Sequence, residues 1–136
     1  MPTGQLDLVI VGGGPAGIST ALYLLHHAPD RVDRMVVLEK ERYPRDKYCA
    51  GAIGGRGIKQ LEQIGVSVEV PAVAVHAVEM RVARGTVRVE EPDIGLVIRR
   101  IEYDHALARA AMERGIQVRE GAAVRAVEAT RSVVRV

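Results

Sequence analysis

The sequence contains no tryptophan and no phenylalanine, and its four tyrosines are its only aromatic residues. A folded chain of this composition must build its core from valine, isoleucine, leucine and alanine. Nucleic-acid binding has little support, because it needs clustered positive charge and usually stacking aromatic rings. The formal net charge is only +2, and the arginines are scattered near acidic residues. We therefore expect no nucleic-acid partner.

A single cysteine, Cys49, excludes an internal disulfide framework and favours a reducing, cytoplasmic location. No apolar run approaches the length that spans a bilayer, which predicts no transmembrane segment. The apolar stretch after Leu6 is broken by glycines and lacks a basic leader, so a secretory signal is not expected. His76 and His105 have no metal-ligand spacing with each other or with Cys49, so no metal site is predicted.

The first part of the chain has the pattern of a βαβ unit. Of the 136 residues, 48% are apolar and 26% charged, which is typical of one globular domain. Residues 6–11 form a nearly continuous apolar run, as does "MVVLE" from Met35 to Glu39. Between them, one helical face is predicted from residues at i, i+3, i+4 and i+7, namely Ile18, Ala21, Leu22 and Leu25. Two buried strands joined by a helix predict a parallel sheet.

The middle of the chain changes its pattern. Residues 41–57 are rich in Gly, Pro and charge and predict a long loop. A helix follows, with Ile58, Leu61 and Ile64 facing inward and Gly65 ending it. Alternating apolar and charged residues around Gly85 predict an antiparallel hairpin, an insertion at about residues 73–98.

The last part of the chain adds one helix and more strands. "RRIEYDHALARAAMERG" predicts a helix that begins near Arg100 and ends at Gly115. "IQV" then predicts a third parallel strand, and "AAVRAVEAT" and "SVVRV" predict two strands of a β-meander.

Three glycines between the first strand and the first helix form the motif G-x-G-x-x-G. Gly12 permits the sharp turn, Gly14 allows a pyrophosphate to approach bare backbone, and Gly17 allows the helix to pack close to the strand. The free amides and positive dipole end of the helix then bind a diphosphate. The predicted fold is therefore α/β, a Rossmann-like FAD/NAD(P)-binding βαβ fold with a parallel sheet, an antiparallel hairpin and a β-meander.

An acid at the end of the second strand supports the same site. Glu39 lies where such folds place a carboxylate on the adenosine ribose hydroxyls. A carboxylate there disfavours the 2′-phosphate of NADP, although Lys40, Arg42 and Arg45 are near enough in sequence to bind that phosphate. The motif alone does not discriminate between FAD and NAD as the cofactor.

Three segments resemble one family of flavoproteins. "VIVGGGPAGISTALYL" followed by "VVLEK" resembles the opening of FAD-dependent oxidoreductases of the p-hydroxybenzoate hydroxylase-like superfamily. "YPRDKYCAGAIGGRGIKQLEQIG" is similar to a loop and helix of its geranylgeranyl reductase branch, where P-R-D-K-x-C-G-G is typical. "RRIEYDHALARAAMERG" resembles the R-x-x-F-D-x-x-L helix of the superfamily, with matches at Arg100, Tyr103, Asp104 and Leu107. An NAD-only dehydrogenase has no reason to carry these segments, so the resemblance favours FAD.

The resemblance implies a role for each part of the site. The glycine turn would hold the FAD diphosphate, through Gly12, Gly14, Pro15, Ala16 and Gly17. Glu39, with Lys40 beside it, would hold the adenosine ribose, and Arg100 would contact FAD from the start of its helix. Ala123 and Val124 would lie against the adenine, and the loop with Cys49 and Gly51 against the flavin ring.

Two of these residues have competing interpretations. Arg100 is a cation at a helix start, where the helix dipole disfavours it, and this favours a functional role over a solvated charge. Cys49 is a catalytic candidate, but no histidine motif accompanies it. The favoured interpretation of Cys49 is a small, partly buried residue that shapes the pocket.

The resemblance also implies parts that the sequence lacks. In the family a later G-D segment closes the FAD site and a substrate domain follows. We therefore expect residues 1–136 to be the N-terminal part of one FAD-binding domain, as a truncated chain, an incomplete gene model or a split subunit.

The implied function is that of a reductase of the geranylgeranyl reductase type, which reduces a C=C bond with flavin. The expected partners are NAD(P)H or another electron donor and a small, prenyl or lipid-like substrate, with peripheral membrane association if the substrate is a lipid. The alternatives are a flavin monooxygenase or halogenase of the same superfamily, an NAD-binding domain of a dehydrogenase, and a non-catalytic nucleotide-binding module.

Overall fold

The computed structural model describes residues 6–136 and contains the predicted parallel sheet. Its strands are β1 (Leu8–Val11), β2 (Met35–Leu38) and β6 (Gln117–Arg119), in the order β1-β2-β6. Both pairings are parallel, with Leu8 opposite Met35 and Val36 opposite Gln117. The βαβ unit and the third parallel strand are therefore confirmed. Strand β2 ends one residue earlier than predicted, so Glu39 follows it directly.

Two helices cover one face of this sheet. They are α1 (Pro15–His27) and α3 (Arg100–Met112), and a short 3-10 helix (Pro29–Arg34) leads from α1 into β2. The core between helices and sheet is aliphatic, as the absence of tryptophan and phenylalanine requires, with one tyrosine at its edge. Its largest fully buried apolar side chains are Ile18, Leu22, Val37, Val66 and Leu107.

A second, antiparallel sheet carries the predicted hairpin. Strands β4 (Ala72–Val82) and β5 (Gly85–Ile98) form the hairpin, and β3 (Ala52–Gly54) pairs with the far end of β5. The prediction of one continuous loop over residues 41–57 is wrong at its end, because β3 lies there and α2 (Gly55–Gln63) already begins at Gly55.

Close backbone packing explains this difference. A Cβ atom on Gly55 would lie 2.1 Å from the carbonyl oxygen of Asp93 in β5. A Cβ atom on Gly51 would lie 2.1 Å from the carbonyl oxygen of Ile98. Glycines that suggest a loop in the sequence here allow the segment to lie directly against β5.

The predicted meander is much shorter in the structure. Only β7 (Glu128–Ala129) and β8 (Val134–Arg135) pair, antiparallel, although two longer strands were predicted. Residues 122–127 are apolar enough for a strand but have no strand partner within residues 6–136, and a strand forms only where its backbone is paired. No helix in the described part of the chain is long and apolar enough to cross a membrane.

Candidate functional site

The glycine turn between β1 and α1 has the geometry that the motif predicts. Gly12 has a φ of +103°, a conformation that L side chains rarely adopt. A Cβ atom on Gly17 would lie 1.9 Å from the carbonyl oxygen of Gly12, so only glycine lets α1 approach the turn this closely. Gly14 is the N-cap residue directly before α1, and no side chain of residues 6–136 caps the free amides of the helix. The turn therefore presents an open helix N-terminus.

Two guanidinium groups converge on this helix start. A Cβ atom on Gly14 would lie 3.5 Å from Nη2 of Arg45 and 3.9 Å from Nη2 of Arg100. The first turn of α1 contains no acidic residue. The space beside Gly14 therefore has positive charge from two side chains and from the helix dipole, which is a suitable environment for an anion.

Glu39 is buried directly after β2 and stabilises the glycine turn. One carboxylate oxygen accepts a hydrogen bond from the amide of Gly13 at 2.9 Å and lies 3.2 Å from Nη2 of Arg45. The other oxygen accepts a hydrogen bond from the amide of Glu41 at 3.1 Å. Burial by itself raises the pKa of Glu39, but the amides of Glu41 and Gly13 and the Arg45 guanidinium outweigh it, so the pKa is lowered. Glu39 is thus held as a carboxylate beside the glycine turn.

Arg45 joins Glu39 to α3. Its side chain is only 9% exposed, and its Nη1 lies 3.3 Å from Oδ2 of Asp104. Asp104 in turn accepts hydrogen bonds from Arg100, from Nε at 2.7 Å and from Nη2 at 2.8 Å. Glu39, Arg45, Asp104 and Arg100 therefore form a continuous chain of alternating charges.

Sequence reasoning named Arg45 only as an answer to a 2′-phosphate and assigned Asp104 no role. The i, i+4 spacing of Arg100 and Asp104 on one helix was a signal for their ion pair. Arg45 gave no such signal, because it lies in a loop, where residue spacing predicts no ion pair, and because Asp104 lies far from it along the chain. Arg100 is also less unfavourable at the start of α3 than the helix dipole alone suggests, since the carboxylate of Asp104 offsets its charge.

Tyr43 is a further site residue that the sequence reasoning missed. Its hydroxyl donates a hydrogen bond to the carbonyl oxygen of Gly13, and its ring lies under the Arg45 guanidinium at 5.5 Å. Burial and the nearby carboxylate of Glu39 raise the pKa of Tyr43 to about 12. Tyr43 is therefore a neutral donor that holds the second glycine of "GGG" in place.

Cys49 is exposed, so the expectation of a partly buried cysteine is wrong. The reason is that Cys49 lies within residues 46–50, all of which are exposed in the loop before β3. The Gly51 amide donates a hydrogen bond to Sγ at 3.5 Å and, with the neighbouring Arg100 guanidinium, lowers the pKa of the Cys49 thiol. A positive neighbour favours the thiolate, and the sequence did not predict that Arg100 would be this neighbour.

Two adjacent clefts contain most of the predicted site residues. The first, of about 400 Å³, is lined among others by Gly12, Gly14, Glu39, Lys40, Arg100, Ala123 and Val124. The second, of about 340 Å³, is lined among others by Pro15, Ala16, Cys49, Tyr103 and Arg100. Arg100 lines both clefts, so it stands at their junction. Gly17 and Gly51 line neither and act through close backbone packing.

These clefts fit a dinucleotide cofactor. The uncapped start of α1 and two guanidinium groups suit a diphosphate at the junction, and the clefts extend from it on either side. Nε of Arg45 is buried and has no hydrogen-bond partner among residues 6–136, which leaves a donor available to a bound group. The Lys40 side chain lies at the rim, mostly exposed, with its Nζ 3.8 Å from Glu41.

Comparison with known proteins identifies relatives. The family model described as "FAD binding domain" matches residues 5–136. A protein named menaquinone reductase from Mycobacterium tuberculosis is 29% identical over 136 residues, which covers 94% of this chain and 32% of that protein. A menaquinone reductase from Mycolicibacterium smegmatis is 32% identical over 63 residues, covering 46% of this chain and 14% of the relative. The chain thus spans at most about a third of the length of these relatives.

Solved structures share the fold. A geranylgeranyl bacteriochlorophyll reductase-like protein from Thermoplasma acidophilum superposes with a TM-score of 0.74 at 20% identity, over 96% of this chain and 34% of that one. The flavin-dependent monooxygenase PieE, solved with FAD and substrate, superposes with a TM-score of 0.73 at 18% identity, over 98% of this chain and 27% of that one.

Proposed function

We propose that this protein, which belongs to the FAD binding domain family, is a flavin-dependent reductase of the geranylgeranyl reductase type, which reduces a C=C bond. The family confirms the predicted superfamily and FAD as the cofactor, and it sets aside an NAD-binding dehydrogenase domain. One observation carries the assignment of the FAD site: the guanidinium groups of Arg45 and Arg100 converge on Gly14 in the cleft that Glu39 also lines.

We assign the FAD diphosphate to the start of α1. The turn formed by Gly12, Gly14, Pro15, Ala16 and Gly17 supports this, because its amides and the helix dipole favour an anion there. Arg100 would bind the diphosphate from α3 through a permanently charged, fork-shaped group. Pro15 at the first helical position loses no hydrogen bond, since its missing N–H has no partner in a helix start.

We assign the adenosine half to the first cleft. Glu39 would accept hydrogen bonds from the ribose hydroxyls. A carboxylate has about four acceptor sites, and its contacts with two amides and with Arg45 leave capacity for a further donor. Lys40 would lie at the rim of this half, and the backbone of Ala123 and Val124 would lie against the adenine.

We assign the flavin ring to the side of the second cleft. Cys49 lines this cleft, and Gly51, with a φ of +78°, forms the turn that follows it. When bound, FAD supplies the two-electron redox chemistry of the reaction. The chain itself supplies the positive charge at the junction and an apolar wall from Ile53 and Leu61.

The proposed substrate is a prenyl or other lipid-like molecule, and the proposed electron donor is NAD(P)H. Support comes from the "YPRDKYCAG" loop and from the relatives named menaquinone reductase, since menaquinone carries a prenyl chain. A lipid substrate also predicts peripheral association with a membrane.

The test begins with FAD binding by the purified protein. Reconstitution with FAD is expected to give bound flavin absorbance, with Arg100→Gln weakened and Arg84→Gln, in the exposed turn of the hairpin, unchanged. Menaquinone and geranylgeranyl diphosphate are then supplied under anaerobic conditions with NADH or NADPH. After any quinol has been reoxidised in air, the expected product still contains two more hydrogen atoms than its substrate, and tandem mass spectrometry should locate them in the prenyl chain.

The remaining outcomes separate the alternatives. No bound flavin after reconstitution would overturn the proposal altogether. A product that gains oxygen, or halogen when halide is present, in air would place the protein with the monooxygenases or halogenases instead. Flavin binding without oxidation of NADH or NADPH and without conversion of either substrate would favour a non-catalytic nucleotide-binding module.

A further inference from the structure

Asp104 occupies an unusual position in α3. Its side chain has no exposed surface, yet it is a carboxylate that faces two arginines. Oδ1 accepts a hydrogen bond from Nε of Arg100 at 2.7 Å, and Oδ2 accepts one from Nη2 of Arg100 at 2.8 Å. The same Oδ2 lies 3.3 Å from Nη1 of Arg45. One buried carboxylate therefore bridges two guanidinium groups from different parts of the chain.

Helix stability does not explain this arrangement. An ion pair with the arginine N-terminal to the acid runs against the helix dipole and contributes little. Arg109 and Glu113 form such a pair further along the same region, at 3.1 Å, and both are largely exposed. A buried carboxylate costs desolvation that an exposed pair does not, so burial of Asp104 needs another reason.

Electrostatics at Gly14 supplies the reason. Arg45 and Arg100 both approach Gly14, where the dipole of α1 adds further positive charge. Two guanidinium groups in such a place repel each other and the helix end. A carboxylate shared between them offsets this repulsion and fixes the direction of each fork. The carboxylate itself stays on α3 and does not line either cleft among the residues described.

We propose that Asp104 is a positioning residue for the FAD diphosphate: it acts through Arg45 and Arg100, and it holds both guanidinium groups beside Gly14. This inference rests on the proposed function, since it takes the diphosphate to bind at the start of α1. Asp104 does not contact the diphosphate itself. Because Arg45 also forms an ion pair with Glu39, the position that Asp104 gives to Arg45 also affects the ribose end of the site.

The single cysteine gives a readout that does not need FAD. Arg100 lies beside Cys49 and favours its thiolate, while the negative charge of Asp104 opposes the thiolate. If Asp104 holds Arg100 in place, Asp104→Asn displaces Arg100 and slows alkylation of Cys49. If Arg100 stays without Asp104, removal of the negative charge alone speeds alkylation. The sign of the change therefore reports the position of Arg100.

The experiment compares Asp104→Asn with Glu113→Gln, which removes the carboxylate of the exposed pair at the same spacing. For Asp104→Asn we expect the Kd for FAD to rise roughly ten- to a hundredfold, as for the loss of a charge-assisted hydrogen bond. We also expect slower alkylation of Cys49 by iodoacetamide in the protein without FAD. Glu113→Gln is expected to change neither.

Unchanged or faster alkylation in Asp104→Asn, or an unchanged Kd, would overturn the inference. Should Asp104→Asn fail to fold, Asp104→Glu retains the charge and moves the carboxylate by one methylene. It is expected to weaken FAD binding at nearly unchanged thermal stability, and wild-type affinity in this variant would overturn the inference. Failure of the proposed function is distinct, because the wild-type protein would then not bind FAD while the alkylation comparison still reports on Arg100.

Discussion

The hydroxyl of Tyr43 donates a hydrogen bond to the carbonyl oxygen of Gly13, in the middle of the glycine turn. The amide of the same glycine donates to the carboxylate of Glu39 at 2.9 Å. The amide and the carbonyl group of one residue in the turn are therefore both held by side chains that follow β2 in the chain. The conformation of the turn depends on these two contacts as well as on its own glycines.

Tyr43→Phe removes the hydroxyl and leaves the Gly13 carbonyl without this donor. We expect a loss of about 1–2 kcal/mol in the free energy of unfolding, as for a partly buried hydrogen bond, together with weaker FAD binding. Urea unfolding and a flavin titration measure the two effects. Tyr48→Phe is the matched control, because Tyr48 is fully exposed, and equal effects of the two substitutions would contradict the role of Tyr43.

Gly17→Ala introduces a Cβ atom 1.9 Å from the carbonyl oxygen of Gly12. The obstacle is backbone, so α1 must shift away from β1, and we expect a loss of about 1–3 kcal/mol in the free energy of unfolding. Gly57→Ala in α2 is the opposite case, because a Cβ atom there meets nothing within 4 Å. Gly57→Ala should stabilise the protein by about 0.5–1 kcal/mol through helix propensity. Urea unfolding measures both effects. If the denaturant midpoints of the two variants both shifted in the same direction from the wild-type midpoint, the role of the Cβ contact at Gly17 would be refuted.

Glu39 predicts a pH dependence of stability. Its pKa in the folded protein is lowered from the ordinary value of 4.5, so the stability that its carboxylate contributes is present above pH 4.5. This contribution is lost as the pH falls below 4.5 through the folded pKa. The wild-type protein should therefore lose more stability on acidification than Glu39→Gln.

Melting temperatures between pH 7 and pH 3 measure this difference. The exposed Glu91 supplies the control, since Glu91→Gln should follow the wild-type curve. Parallel curves for the wild-type protein and Glu39→Gln would show that the buried carboxylate gains nothing from its amide and guanidinium partners.

Cys49 predicts enhanced thiol reactivity in the folded protein. The Gly51 amide and the Arg100 guanidinium lower its pKa, so more thiolate is present at neutral pH than for an ordinary cysteine. Iodoacetamide should therefore modify the folded protein faster at pH 7 than the protein unfolded in urea. Arg100→Gln should slow the reaction, and Arg99→Gln, next to it but largely exposed, should not. Equal rates in the folded and unfolded protein would remove any role for this environment.

Local patterns account for what was predicted correctly. The glycine spacing, the apolar runs of β1 and β2, and the glycine that ends each of α2 and α3 depend on neighbours within a few residues. The sequence lists those neighbours directly, so the βαβ unit and the hairpin were both predicted. The meander was not, because a strand is stable only where another backbone pairs with it, and apolar alternation does not show whether such a partner exists.

The sequence by itself determined the glycine turn: Gly12 and Gly17 are required by the backbone where this strand meets this helix. Only the tertiary structure decided what surrounds the turn. Arg45 forms ion pairs with Glu39, directly after β2, and with Asp104 in α3. Groups so far apart in the sequence attract each other strongly only after folding has brought them within 4 Å. The same reason holds for Cys49, whose exposure and positive neighbour follow from the packing of its loop against β5 and from where α3 begins.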